Sequence, residues 1–565
     1  MHAWTRFARW RPWAAAALTA LLAACGGGGE GLIPTVQTAS GPVQALQQNG
    51  MLAYRRIPYA APPVGALRWK APADPQAWTT PIQSATSANT CPQNSSSPFV
   101  IPSTNEDCLY LDVFTPQQRM QPLPVMVWIH GGAFLTGGAV TYADPSPLVS
   151  RGVIVVNINY RLGVFGFLAH PALVAEQGGS AGNYGIMDQQ KALQWVQANI
   201  GRFGGDPANV TIFGESAGGF SVMTHLASPG SKGLFAKAIV HSGAYAINSQ
   251  PTLATAQANA TNVINNTLAA AGITCSGGVT TDCLRSIPAS AVGTLMTEYG
   301  KLNSSPVPIV DGRVLPKSVK ATFVAGENNK VPLINGSNRD EWALFIAINE
   351  LTARNAANPP NTDPTNTSFS LTPAAYPATA AGLGAAGGAS GSTVLAAYPL
   401  TNFGTNTALQ PSLGASAIGT DVIFACPAFR VSQRSATQGN ATWMYEFRDR
   451  SATPFVGRNA TTGAYGISFP QGAAHSYELQ YIFNLTPLAN DEQKALGSAM
   501  ATYWTNFARS SNPNSGNTVP VNWPNFTTAS PSVLGLDIAS DGGITVMNDF
   551  ETAHKCNTVW SAITF

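Results

Sequence analysis

From about residue 125 the chain alternates short runs of consecutive apolar, often β-branched residues with longer stretches whose apolar positions recur every three to four residues. The runs at 125–129, 153–157, 210–213, 238–242, 331–335 and 442–447 are nearly continuous, the pattern of strands buried on both faces of a parallel sheet. Between the second and third of them, 185–199 spaces Ile186, Leu193 and Val196, with Ile200 beyond, along one helical face. Such alternation predicts an α/β fold: a large, mostly parallel central sheet flanked by helices. Residues 353–418 break the rhythm. Rich in Ala, Gly, Asn, Thr and Pro and poor in charge, they read either as a surface excursion or as a lid or rim over a site. No internal repeat is visible, and no segment beyond the leader runs about 18 apolar residues without interruption.

The first residues follow a different pattern. Arg6, Arg9 and Arg11 precede an apolar stretch at 13–24, which ends on Leu22-Ala23-Ala24-Cys25 and four glycines. A basic head and a short apolar core are the marks of an export leader. The cysteine at its end resembles the lipobox of bacterial lipoproteins, in which that residue is lipidated and becomes the mature N-terminus. An ordinary secretory peptide with an incidental Cys25 is the alternative. The expected organisation is a leader at 1–24, a Gly-rich tether at 25–34 and a single domain at 35–565. Export permits disulfides. Without Cys25 six cysteines remain (Cys91, Cys108, Cys275, Cys283, Cys426 and Cys556), and counting alone allows 15 pairings. None has zinc-site spacing, so no metal is expected.

Charge narrows the partners. A formal net charge of +2, with 10% charged residues in 565, gives no electrostatic ground for a nucleic-acid partner. Membrane contact is expected only through the N-terminal lipid, and the sequence sets no oligomeric state.

Gly214-Glu215-Ser216-Ala217-Gly218 fits G-x-S-x-G, with the apolar run 210–213 before it and a helical stretch at 217–226 after it. Strand, turn and helix in that order place Ser216 on a tight elbow at the end of a strand, with the helix N-terminus facing the reacting centre. The glycines are needed because the turn crowds backbones together. A serine nucleophile needs a base, and the tetrahedral oxyanion needs donors. His130-Gly131-Gly132-Ala133-Phe134, after the run 125–129, looks like the HGGG-type oxyanion segment with alanine in place of the third glycine. Alanine still supplies an N–H.

With these motifs the chain resembles the type-B carboxylesterases of the α/β-hydrolase superfamily, the family of the cholinesterases and bacterial para-nitrobenzyl esterases. FGGDPANVTIFGESAG at 203–218 matches the family's serine signature, EDCLYLDVFTP at 106–116 a second signature, and RIPYAAPPVGALRW at 56–69 a third similarity. The resemblance implies a serine hydrolase of carboxylic esters, without cofactor, acting on small or oligomeric ester substrates. It implies Glu341, in Arg339-Asp340-Glu341, as the acid, with Asp340 the nearest rival on sequence alone. It implies His475, in the H-x-x-E-L segment His475–Leu479, as the base, and the backbone N–H groups of Gly132, Ala133 and Ala217 as the oxyanion hole. The remaining histidines (His2, His130, His170, His225, His241 and His554) read as structural or as leader. Pairings Cys91–Cys108, Cys275–Cys283 and Cys426–Cys556 are implied as well, as are buried ion pairs Arg68–Glu106 and Arg161–Asp188. Cholinesterases carry a choline-stacking tryptophan before the second cysteine of the first disulfide loop. Here 97–102 has none and offers only Phe99.

Overall fold

The computed structural model describes residues 34–565 apart from 95–100, 119–121, 246, 248, 303–304, 358–359 and 458–465. The leader, Cys25, all of the tether but its last residue, and Phe99 lie outside the described residues.

The six apolar runs form six strands: Leu123–Ile129, Ile154–Ile158, Gly205–Glu215, Lys237–His241, Leu333–Asn338 and Thr442–Phe447. Each pairs in parallel with its neighbours in this set, and Val533–Leu536 adds a further parallel strand. Helices cover both faces, so Val125 to Ile129 are all fully buried and a continuous apolar run is tolerated. The flanks are antiparallel. Tyr110–Pro116, Met51–Pro58 and Leu46–Gln48 extend one edge and Thr545–Met547 the other, making an eleven-stranded sheet among the described residues. A second, three-stranded sheet is built from Thr35–Gln37, Pro42–Gln44 and Ile82–Gln83.

The chain reverses its direction of travel across the sheet at one place. From Leu123–Ile129 it steps to Ile154–Ile158, then returns to place Gly205–Glu215 on the other side. Loops leaving the carboxyl ends of strands on either side of such a switch part and open a crevice. The loops leaving Ile129 and Glu215 are the His130–Phe134 segment and the Ser216 elbow.

Segment 353–418 contains helices Tyr376–Ala386, Gly391–Ala397 and Gln410–Gly419, which pack through buried Tyr376, Ala380, Val394 and Ala415 onto one of the main apolar clusters. The helical stretch Gln410–Thr437 is long and apolar enough to cross a membrane, yet 83% of its most apolar window is buried, as in a core helix. A π-turn at Thr420–Ala425 interrupts it.

Three disulfides join Cys91 to Cys108, Cys275 to Cys283 and Cys426 to Cys556, as the family resemblance implies. Both ion pairs form. Arg161 donates to both oxygens of fully buried Asp188 at 2.7 Å, and Arg68 donates from Nε to Glu106 at 2.7 Å. Arg161 also donates to the Lys70 carbonyl and Arg68 to those of Arg285 and Ile287, so each pair ties loops together.

Candidate active site

Ser216 sits between strand Gly205–Glu215 and helix Ala217–Ala227, with φ 55° and ψ −120°. A non-glycine residue held there stores about 1–3 kcal/mol, which the surrounding packing must impose. Helix Ala217–Ala227 is buried along its whole length. A Cβ on Gly218 would overlap the Ile129 carbonyl, and one on Gly214 would lie 2.5 Å from the Gly218 carbonyl carbon. Only glycine lets the turn close. Ser216 itself stays partly exposed.

The His130–Phe134 segment lies against this elbow. A Cβ on Gly131 would stand 2.8 Å from the Glu215 carbonyl and 3.2 Å from Ser216 Cβ. Gly132, Ala133 and Phe134 all take positive φ (105°, 57° and 61°), which turns successive peptide groups toward a common side. The N–H groups of Gly132, Ala133 and Ala217 have no protein acceptor among the described residues.

Glu341 follows strand Leu333–Asn338 and is fully buried. Its Oε2 accepts from His475 Nδ1 at 2.6 Å, while its Oε1 accepts from Ser242 Oγ at 2.5 Å and from the Asn338 N–H at 2.7 Å. A carboxyl group with three donors is held in one orientation and places the proton of the shared bond on His475 Nδ1. Asp340 faces elsewhere: its two oxygens accept from Arg450 at 2.7 and 2.9 Å, and Oδ2 also from the Ala473 N–H. Of the two, it is Glu341 that hydrogen-bonds His475.

His475 Nε2 is buried, stands 3.0 Å from Glu215 Oε1, and makes no hydrogen bond. Ser216 Oγ likewise has no hydrogen-bond partner among the described residues, and the residue just before it, Glu215, is the one whose side chain reaches the imidazole. Serine–imidazole contacts commonly tighten only with substrate bound. Burial pushes the Glu215 carboxyl well above the usual carboxylate range, against the pull of His475. Burial works against a charged imidazole at His475, but the carboxylates of Glu215 and Glu341, with the Glu341 hydrogen bond, more than reverse it and raise its pKa. Phe424, on the π-turn, and Phe345 wall off the imidazole, with ring centroids 4.8 and 5.3 Å from it.

Three further residues enter the site without a sequence signal of their own, and the acid of the H-x-x-E-L segment joins them. Ser242 and Asn338 hold Glu341. Ser476, at φ 69°, donates to Glu215 Oε1 at 2.7 Å. Glu478, the acid of the H-x-x-E-L segment, accepts from Asn338 Nδ2 at 2.6 Å and leaves Oε1 buried without a hydrogen bond, 3.5 Å from His241 Nδ1. Trp504 Nε1 donates to His241 Nε2, so His241 is braced inside the core. Among the described residues no group of three or more His, Cys, Asp or Glu side chains is placed to hold a metal ion.

The family profile described as "Carboxylesterase family" matches residues 33–559. The chain belongs to the carboxylesterase family. It is 33% identical over 546 residues to the para-nitrobenzyl esterase of Bacillus subtilis (strain 168), covering 92% of this chain and 97% of that protein. Over 313 residues it is 40% identical to the fumonisin B1 esterase of Sphingopyxis macrogoltabida, covering 54% of this chain and 56% of that one. Among solved structures, a thermophilic para-nitrobenzyl esterase superposes with a TM-score of 0.71 at 31% identity, covering 93% of this chain and 99% of that one. This carboxylesterase has the α/β-hydrolase fold and is a carboxylic ester hydrolase working by a serine-hydrolase mechanism.

Proposed function

We propose that Ser216, Glu341 and His475 are the catalytic triad and that Gly132, Ala133 and Ala217 form the oxyanion hole. The observation that carries this is the 2.6 Å bond from His475 Nδ1 to buried Glu341, which leaves Nε2 without a hydrogen bond, 3.0 Å from the side chain of Glu215, the residue before Ser216. His475 Nε2 takes the Ser216 proton as Oγ attacks the ester carbonyl. Glu341 stabilises the imidazolium that results, and the three N–H groups receive the oxyanion. His475 then protonates the departing alcohol, and water releases the acid from Ser216 by the same steps in reverse order. Glu215 moves no proton in this scheme and acts through its field.

The substrate is a small or oligomeric carboxylic ester. Para-nitrobenzyl esters are the first to try, on the similarity to that esterase along nearly the whole chain. A toxin ester of the fumonisin B1 kind is the second reading, favoured by the 40% identity over roughly half of the chain. Polyester or polyurethane oligomers belong in the same panel. The mature chain is proposed to be exported and anchored through lipid on Cys25, on the strength of the leader pattern. A nitrophenyl ester assayed by stopped flow tests the acyl-enzyme: a burst of nitrophenol equal to the enzyme concentration is expected, and turnover proceeding with neither burst nor trappable acyl-enzyme contradicts it.

A further inference from the structure

A cavity of about 650 Å³ lies apart from the site just described. None of Ser216, Glu341, His475 or the His130–Phe134 segment lines it. One wall is basic: Arg339 follows strand Leu333–Asn338, and Arg448 and Arg450 follow strand Thr442–Phe447. Segment 353–418 also lines it, with apolar Phe403, Leu413 and Ala417 alongside polar Asn402 and Ser416. That segment, which the reaction does not use, thus has a place in the molecule as the side of a pocket.

The lining carboxylates are mostly committed. Asp340 is held at both oxygens by Arg450. Glu446 accepts from Arg448 and from His554, each at 2.6 Å. Asp421 accepts from the other His554 nitrogen and from the Tyr398 hydroxyl, each at 2.5 Å. Asp549 is exposed and joins no ion pair among the described residues. Two cations are left over. No carboxylate lies within ion-pairing distance of Arg339 among the described residues, and its guanidinium is half-buried near two others. Lys555 rests its ammonium over the Tyr398 ring, 4.4 Å from the centroid. Burial disfavours the Arg339 charge, and Arg450 and Arg448 repel it, by more than the Asp340 and Glu446 carboxylates offset. An anion bound there relieves both effects.

We infer that this cavity is a second binding site, for an organic carboxylate whose head group pairs with Arg339 and whose apolar body lies against Phe403, Leu413 and Ala417. A guanidinium fork matches a carboxylate with two parallel hydrogen bonds. The volume is that of a small-molecule pocket rather than of a simple ion. Acids released by ester cleavage belong to this chemical class. The wall is also continuous with the catalytic loops, since Asp340 exchanges backbone and side-chain hydrogen bonds with Ala473, two residues before His475.

The test is calorimetric titration of the whole chain with benzoate and, as its neutral counterpart, benzamide. Saturable benzoate binding is expected, at least tenfold tighter than benzamide. Arg339→Gln should weaken it tenfold or more, and Arg339→Lys by less. Phe403→Glu, which puts a negative charge in the cavity lining and leaves Arg339 in place, should weaken it likewise. Hydrolysis of a nitrophenyl ester by Arg339→Gln should stay within twofold of wild type, which separates this pocket from the active site. Absence of saturable binding, equal binding of benzamide, or unchanged binding in Arg339→Gln and Phe403→Glu overturns the inference.

Discussion

At the scale of single residues, His475 is held by two carboxylates of different standing. Glu341 is fixed by three donors, whereas Glu215 stands 3.0 Å from Nε2 with no hydrogen bond to it. Two expectations follow for kinetics. Ser216→Ala and His475→Ala should each lower kcat by about 10⁴- to 10⁶-fold, and the double variant hardly further, because the two act as one unit. Glu341→Gln should be nearly as severe, since it favours the wrong imidazole tautomer. Asp340→Asn, touching only Arg450 and Ala473, should lose little; a larger loss there than in Glu341→Gln refutes the assignment. The second expectation concerns pH. A raised His475 pKa means the proton is kept to higher pH, so the neutral base is lost as pH falls through that raised value. The acid limb of kcat/KM should therefore lie above about 6.5, the ordinary histidine value. Glu215, itself raised by burial, titrates together with His475, so Glu215→Gln removes the carboxylate that favours the imidazolium where it is ionised and should move the limb to lower pH. A limb that stays put shows that Glu215 exerts no such field. The three residues proposed as the triad were legible because each sits in a motif. Ser242, Asn338 and Ser476 were not, because a lone serine or asparagine at a strand end has no pattern until the fold brings its partner near.

At the scale of elements, the apolar runs revealed the central strands because burial on both faces demands uninterrupted apolar sequence. The nucleophile strand begins at Gly205, five residues before its apolar run, because Gly205–Asn209 are mostly small or polar and only partly covered. Two of the antiparallel strands, Leu46–Gln48 and Thr545–Met547, were missed for a related reason: they are three residues long and exposed along much of their length. The turn after Ile129 yields a sharper test. Gly131→Ala presses a methyl group against Glu215 and Ser216 Cβ, at 2.8 and 3.2 Å. A displacement approaching 1 Å at the reacting atoms costs on the order of 10²-fold. We expect kcat to fall by about that factor while the protein remains folded by circular dichroism. Wild-type kcat in Gly131→Ala contradicts the placement of this segment beside the nucleophile.

At the scale of the molecule, the chain's last residues are fastened at several points. Cys556 is bonded to Cys426 across 130 residues of sequence, the widest of the three disulfide spans. His554, beside it, bridges Asp421 and Glu446. Replacing Cys426 and Cys556 by serine should cost about 4–5 kcal/mol on a chain-entropy account, more than loss of either shorter bridge. Denaturant unfolding measures this, and equal losses for all three contradict it. The pairing was legible only through family resemblance, since six cysteines carry no connectivity in their spacing. Segment 353–418 was ambiguous because its low charge suits a buried wall as well as a loose surface. At the other end of the chain, a fatty-acid analogue should label wild type and not Cys25→Ser, and equal soluble release of both forms contradicts a lipid anchor.

The central claim is that Ser216 attacks the ester with His475 as its base, and covalent trapping tests it most directly. The protein is treated with a fluorophosphonate, digested and mapped by mass spectrometry. One label per chain is expected, on the peptide containing Ser216, with activity lost in step and labelling slowed by orders of magnitude in His475→Ala. Complete inactivation with the label on another residue, or a fully labelled Ser216 in a protein that still hydrolyses esters, contradicts the account.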